Sequence, residues 1–212
     1  MNILIVYAHP NPRSFNAVMK DVAIDRLTHA GHAVLVSDLY AMHFKATLDE
    51  EDFKDRQKPD DFNPLMEQYH AALNGTFADD IAEEIRKVDW ANLIIFQFPL
   101  WWLSFPAILK GWCDRVFANG IAVNLETYDP LLEGKKALCV VTTSAKEAMY
   151  IPEGPAGDIN VLLTFVRGIF AMAGIEFLPP FIAYGVPTLT SDEREALLEG
   201  YRERLPSLKL AD

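Results

Sequence analysis

Residues 92–117 of this 212-residue chain read NLIIFQFPLWWLSFPAILKGWCDRVF, and few folds accommodate that string. Its first seven residues are almost uninterruptedly apolar, the mark of a strand covered on both faces inside a parallel sheet. Pro99 lacks the N–H that a ladder needs and ends the strand. Pro106 suits the first turn of a helix, where a missing N–H costs nothing, and that helix runs to about Phe117. Leu100, Trp101, Trp102, Leu103 and Phe105 therefore fall at the carboxyl end of a central strand, the rim where open α/β sheets bind ligands. Large flat side chains there form one wall of a slot for a planar aromatic molecule. Taken alone, such an apolar cluster more often packs in a core or against a subunit. Residues 90–109 are apolar enough to raise the question of a membrane span. Pro99, Pro106, Asn92, Gln97 and the fit to strand-turn-helix argue against one.

Similar strands are expected at residues 2–7, 33–37, 136–141 and 176–182, with helices at about 15–30, 80–88 and 160–173 and a last one capped by Ser191. Ser14 is a good N-cap for the first helix, and Phe15, Val18, Met19, Val22 and Leu27 recur at the spacing of a core face. Five strands alternating with helices make a parallel sheet covered on both faces, in one domain spanning residues 1–212. Residues 44–76 are long, polar and weakly periodic, as in connections that cover a site or join subunits. Within them, residues 49–61 carry seven carboxylates against three basic side chains and read as a solvated insertion.

Strand, loop and helix start at residues 2–17 offer backbone N–H groups and a positive dipole end, the basis of phosphate binding. G-x-G-x-x-G occurs nowhere, so a dinucleotide-type nicotinamide site has no support. The net charge of −11 argues against nucleic acid or an anionic membrane as partner. Cys113 and Cys139 have the spacing of neither a disulfide scaffold nor a metal site. Met1-Asn2 leads straight into Ile3-Leu4-Ile5-Val6 without a secretory pattern, and a reducing cytoplasm is the expected compartment.

Phe96-Gln97-Phe98-Pro99-Leu100, Trp102 and Pro106-Ala107-Ile108-Leu109-Lys110-Gly111-Trp112 closely resemble the NAD(P)H:quinone oxidoreductase (DT-diaphorase) family of flavodoxin-like flavoproteins. The resemblance covers essentially the whole chain. It implies a flavodoxin-like, doubly wound sheet of strand order 2-1-3-4-5 with the flavin at the switch point. It also implies a homodimer, FAD as cofactor, NADH or NADPH as hydride donor and a planar quinone as acceptor. An FMN-dependent azo- or nitro-reductase and an ancillary subunit of a potassium efflux system share the fold and are the alternatives.

Residue by residue, the resemblance places His9, Ser14, Phe15, Asn16 and Ala17 at the flavin's phosphates. It sets Pro99, Leu100, Trp101, Trp102 and Leu103 along the ring and Thr142, Thr143, Ser144 and Ala145 at its pyrimidine edge. Tyr150 is the catalytic candidate, and Asn63, Arg194 and Leu198 are expected near the adenine. The chain also departs from the family. Ser144-Ala145 stand where the family has two glycines, and Ala156 stands where it pairs the tyrosine with a histidine. Val123 and Leu125 replace aromatic residues that close the slot from the neighbouring subunit.

Overall fold

The computed structural model describes residues 1–206 and arranges them around one parallel sheet. β1 (Asn2–Tyr7) leads into α1 (Phe15–His29) and β2 (Ala33–Asp38). After a long connection come α2 (Pro64–Asn74), α3 (Asp79–Trp90), β3 (Leu93–Pro99) and α4 (Ala107–Val116). A small antiparallel pair, β4 (Val123–Asn124) and β5 (Asp129–Pro130), precedes β6 (Lys136–Thr142). The chain then forms α5 (Ile159–Leu162), α6 (Thr164–Met172), β7 (Glu176–Phe177), β8 (Phe181–Ala183) and α7 (Ser191–Arg204).

The order β2-β1-β3-β6 is the expected doubly wound one, and β7 and β8 together fill the fifth place. Every pairing in this sheet is parallel. The fifth strand, expected as one run over 176–182, is broken in two because Pro179 and Pro180 have no N–H to donate. Likewise the helix expected over 160–173 divides at Leu163.

The two-residue period of the strands feeds two separate cores. Leu4, Val6, Ile94, Phe96, Phe98 and Val141 face α3, α4 and α6, where Phe96 lies within 5.0–6.2 Å of the rings of Phe105, Trp112, Phe117 and Phe170. Ile3, Ile5, Tyr7, Ile95 and Val140 face α1 and α7. On α1 the buried stripe is Asn16, Ala17, Met19, Ala23 and Leu27, so the core face is turned from the expected one and Val18 is 41% exposed. Small alanines let the helix approach the sheet, and Asn16 is drawn inward by hydrogen bonds to Gln97 and Thr142. Phe105 also belongs to the core and not to the rim, edge-on to Phe98 and Phe165 at 4.9 Å each.

The acidic connection is not simply solvated. Asp52, 1% exposed, receives two hydrogen bonds from the buried guanidinium of Arg115 on α4, at 3.1 and 2.9 Å. Arg115 also bonds Asp80 and the Lys45 carbonyl and lies 4.8 Å over the Phe44 ring. Gly111 completes the clamp: a Cβ there would stand 2.1 Å from the Ala46 carbonyl oxygen, so only glycine lets the connection lie on α4. The same connection contains α2, which weak periodicity concealed. Its Asn63 N-cap, Pro64 at the first position and left-handed Gly75 after its end were the legible signals.

Candidate active site

β1 is followed by Ala8, whose N–H bonds the Gln97 carbonyl, and the loop beyond it is built by its own side chains. Asn11 N–H donates to His9 Nδ1 at 3.0 Å, and Asn11 Oδ1 accepts from Arg13 N–H. A backbone N–H can only donate, so Nδ1 is the acceptor and the His9 proton sits on Nε2. Burial lowers the His9 pKa, so the ring is neutral near pH 7 and offers one N–H. Ser14 caps α1 as expected, its Oγ accepting from Ala17 N–H at 3.0 Å. The N–H groups of Phe15 and Asn16 bond no described residue and remain at the positive end of the helix. Ala17 contributes its main chain to the cap and its methyl to the core.

The turn after β3 is the most unusual piece of backbone in the chain. Trp101 and Ser104 exchange both main-chain hydrogen bonds, at 3.2 and 3.0 Å, closing a two-residue loop. Its central residues, Trp102 and Leu103, have φ of 48° and 62°. Such loops favour asparagine and glycine, because a bulky residue at positive φ is strained. Trp102 is 100% exposed, so nothing among the described residues holds its side chain there. Its neighbour Trp101 is half-exposed, 6.2 Å from the His9 ring, which ties this turn to the β1 loop. Pro99 and Leu100 are buried, and Leu100 N–H pairs with the Thr142 carbonyl at 2.8 Å, fixing the turn to the end of β6.

Thr142 and Thr143 divide their roles. Thr142 Oγ1 accepts from Asn16 Nδ2 at 2.9 Å, joining α1 to β6. Thr143 is internal: its hydroxyl donates to the Ala145 carbonyl at 2.7 Å and its N–H bonds Ala183. A side-chain contact of Thr143 to a ligand, expected from the sequence, therefore competes with a bond already made. Neither Ser144 nor Ala145 is among the positive-φ residues, so the loop accepts them in place of glycines without strain. Glycine is required further on, at Gly154, where a Cβ would lie 2.6 Å from the Ala148 carbonyl oxygen.

Tyr150 is buried with its ring stacked on Tyr184 at 6.0 Å, and its hydroxyl bonds no described residue. Ala156 packs against the core beside it and has no group to exchange a proton. On α7, capped by Thr190 one residue before the expected Ser191, the Arg194 guanidinium lies 6.0 Å over the Phe15 ring. Leu198 is 93% buried against the α1 side of the sheet, so only its edge is available to a ligand. Asn63 stands apart: its side chain caps α2 by accepting from Met66 N–H, and none of its contacts is with the other residues of this rim.

Asn11 and Tyr184 belong to this rim and Gln97 lies buried beneath it; none of the three was expected as a site residue from the sequence. Gln97 had a signal, a single polar residue inside a strand otherwise apolar on both faces. Together the rim offers free helix N–H groups and a neutral histidine donor at one end, an exposed indole in the middle and hydroxyls at the other. That donor set fits a phosphate-bearing ligand with a flat ring. A separate apolar cleft of roughly 440 Å³, lined by Leu65, Phe117, Val123, Leu125 and Met172 among others, lies away from the rim. No helix among the described residues is long and apolar enough to cross a membrane, and they hold no cluster of metal-ligating side chains.

Residues 1–205 match the family model of the flavodoxin-like fold. Human ribosyldihydronicotinamide dehydrogenase (quinone) is 40% identical over 210 residues, covering 97% of this chain and 91% of that protein. NAD(P)H dehydrogenase (quinone) 1 of Cavia porcellus is 38% identical over 209 residues, covering 97% and 76%. A solved Klebsiella pneumoniae structure, named as a candidate quinone reductase, superposes with a TM-score of 0.94 at 37% identity, covering 98% of this chain and 85% of that one. The chain belongs to the flavodoxin-like family of oxidoreductases that contains these quinone dehydrogenases.

Proposed function

We propose that this protein reduces quinones by two electrons, using NADH or NADPH and a bound FAD. The observation that carries this reading is Trp102, fully exposed and held at positive φ on the ligand rim. An exposed indole there is a ready platform for a planar ring. His9 Nε2–H, Ser14 and the first N–H groups of α1 would hold the phosphates, and Trp102 with Thr142 the ring. A bound flavin would supply the chemistry, hydride transfer between the nicotinamide and the acceptor. The protein's part is to orient both partners against one face of that ring and to exclude water.

Arg194, over the Phe15 ring beside the start of α1, adds a cation at the phosphate end of the rim, and this favours FAD. Donor and acceptor enter the same slot in turn, which makes the kinetics ping-pong. The relatives' names include a ribosyldihydronicotinamide donor, so that smaller reductant belongs beside NADH and NADPH in any assay. Tyr150 offers a hydroxyl for charge developing during transfer. Its family partner is replaced by Ala156, so water or Tyr184 takes the second role.

The protein works as a twofold homodimer. Trp101, Leu103, Tyr128 and Leu131 are between 40% and 74% exposed, more apolar surface than a lone chain keeps in water without use. Val123 and Leu125, on the small β4–β5 hairpin, line the 440 Å³ cleft and would close the partner's slot. Asn63 could reach an adenine only from the other subunit.

The test is the cofactor itself. Freshly purified protein should be yellow and should release FAD on denaturation. Release of FMN moves the reading to the azo- and nitro-reductases, and a colourless protein that takes up neither flavin overturns it.

A further inference from the structure

Three side chains form a hydrogen-bond chain whose direction is fixed from inside the protein. Gln97, fully buried on β3, has its Nε2 2.5 Å from the main-chain oxygen of Asn16 and 3.1 Å from Asn16 Oδ1. A main-chain oxygen only accepts, so that atom of Gln97 is the amide nitrogen and Asn16 Oδ1 also accepts from it. The other end of the Asn16 amide must then be its nitrogen, which donates to Thr142 Oγ1 at 2.9 Å. Thr142 therefore accepts from the protein side, and its single proton is left for the rim.

The arrangement is maintained against a cost. Gln97 Oε1 is buried with no partner among the described residues, in a strand whose other residues are apolar or proline. An unpaired buried acceptor is destabilising, a cost that a methionine of similar shape would avoid. What the glutamine contributes is its donors, and both described bonds of that nitrogen go to Asn16. Asn16 is itself 2% exposed and lies one residue inside the start of α1. The chain thus joins β3, α1 and β6, the three elements that frame the ring slot.

We infer that Gln97 is a positioning residue that locks Thr142 as a hydrogen-bond donor to an acceptor atom of the bound flavin ring. The inference rests on the flavin reading above. A locked donor prefers the ring state that carries more negative charge, so it raises the midpoint potential of the bound flavin. Losing the donor should cost about tenfold in the relative binding of the two redox states, or about 30 mV for a two-electron couple.

The experiment is a dye-referenced redox titration of bound flavin in the wild type, Thr142→Val, Thr142→Ser, Gln97→Met and the Gln97→Met/Thr142→Val double variant. Thr142→Val should lower the potential by that amount, Thr142→Ser should stay at the wild-type value, and Gln97→Met should shift the potential in the direction of Thr142→Val. The double variant should fall no lower than Thr142→Val alone, because Gln97 acts only through that hydroxyl. Additive shifts, or no shift in Thr142→Val, overturn the lock while leaving the flavin reading standing. A wild type that binds no flavin overturns both. Should Gln97→Met not fold, neutron diffraction of the deuterated flavin-loaded wild type reads the same point directly. A Thr142 deuteron facing the ring supports the lock, and one facing Asn16 overturns it.

Discussion

Replacing Trp102 with glycine should stabilise the ligand-free protein and weaken its hold on flavin, two effects of opposite sign from one substitution. Trp102 and Leu103 occupy the left-handed region, where a bulky residue costs about 1–3 kcal/mol. Because the Trp102 side chain is wholly exposed, removing it takes no buried area from the folded state. Glycine relieves the backbone strain and adds unfolded-chain entropy worth about 0.5–1 kcal/mol. The net gain is about 1 kcal/mol, or roughly 2–4 °C in melting temperature for a chain of this size. In the loaded protein the lost indole face is worth about 1–3 kcal/mol of stacking. Urea unfolding of flavin-free protein, followed by circular dichroism at matched concentration, measures the first effect. Titration of flavin fluorescence quenching measures the second. A variant less stable than the wild type by more than about 1 kcal/mol, or one that binds flavin as tightly, would refute the account of this turn.

Arg115→Met should destabilise the fold by about 3 kcal/mol in urea, since the buried Asp52 carboxylate loses both guanidinium hydrogen bonds and keeps the Lys45 ammonium, and adding Asp52→Asn should recover part of the loss. Tyr150→Phe should slow flavin reduction by roughly tenfold or less in stopped flow, with half of the family's pair already gone, and Ala156→His should speed it. His9 refuses a proton that the unfolded chain takes, so stability should fall as pH drops below the ordinary histidine pKa of about 6.5. His9→Gln should flatten that part of the pH–stability curve. Light scattering at micromolar concentration should give the mass of a dimer; a fully active monomer would contradict the shared slot.

Where the sequence was informative, it was because one residue type had one structural use. The apolar runs 2–7, 92–98 and 136–141 can only be strands buried on both faces, and all three lie within two residues of where they were expected. Ser14 and Gly31 bound α1 by capping chemistry that needs no tertiary context. What was hidden depends on partners distant in sequence. Asn16 turns inward only because Gln97, 81 residues away, meets it, and that rotates the whole core face of α1. Asp52 looked solvated because its partner Arg115 lies on another element. The left-handed conformation of Trp102 and Leu103 runs against their own preference, so no local signal could announce it. The rim residues His9, Ser14, Asn16, Trp102 and Thr142 are legible through the family resemblance and come together in the fold, whereas Asn63 does not join them within one chain.

The central claim is that donor and acceptor meet the same bound flavin one after the other. Anaerobic double-mixing stopped flow tests it most directly, following the flavin absorbance of the purified protein. NADH, NADPH or a ribosyl dihydronicotinamide alone should bleach the flavin in a single turnover, and quinone in the second mix should restore the full absorbance without further donor. Bleaching that occurs only when quinone is already present would contradict the account, because it would require both substrates on the protein at once.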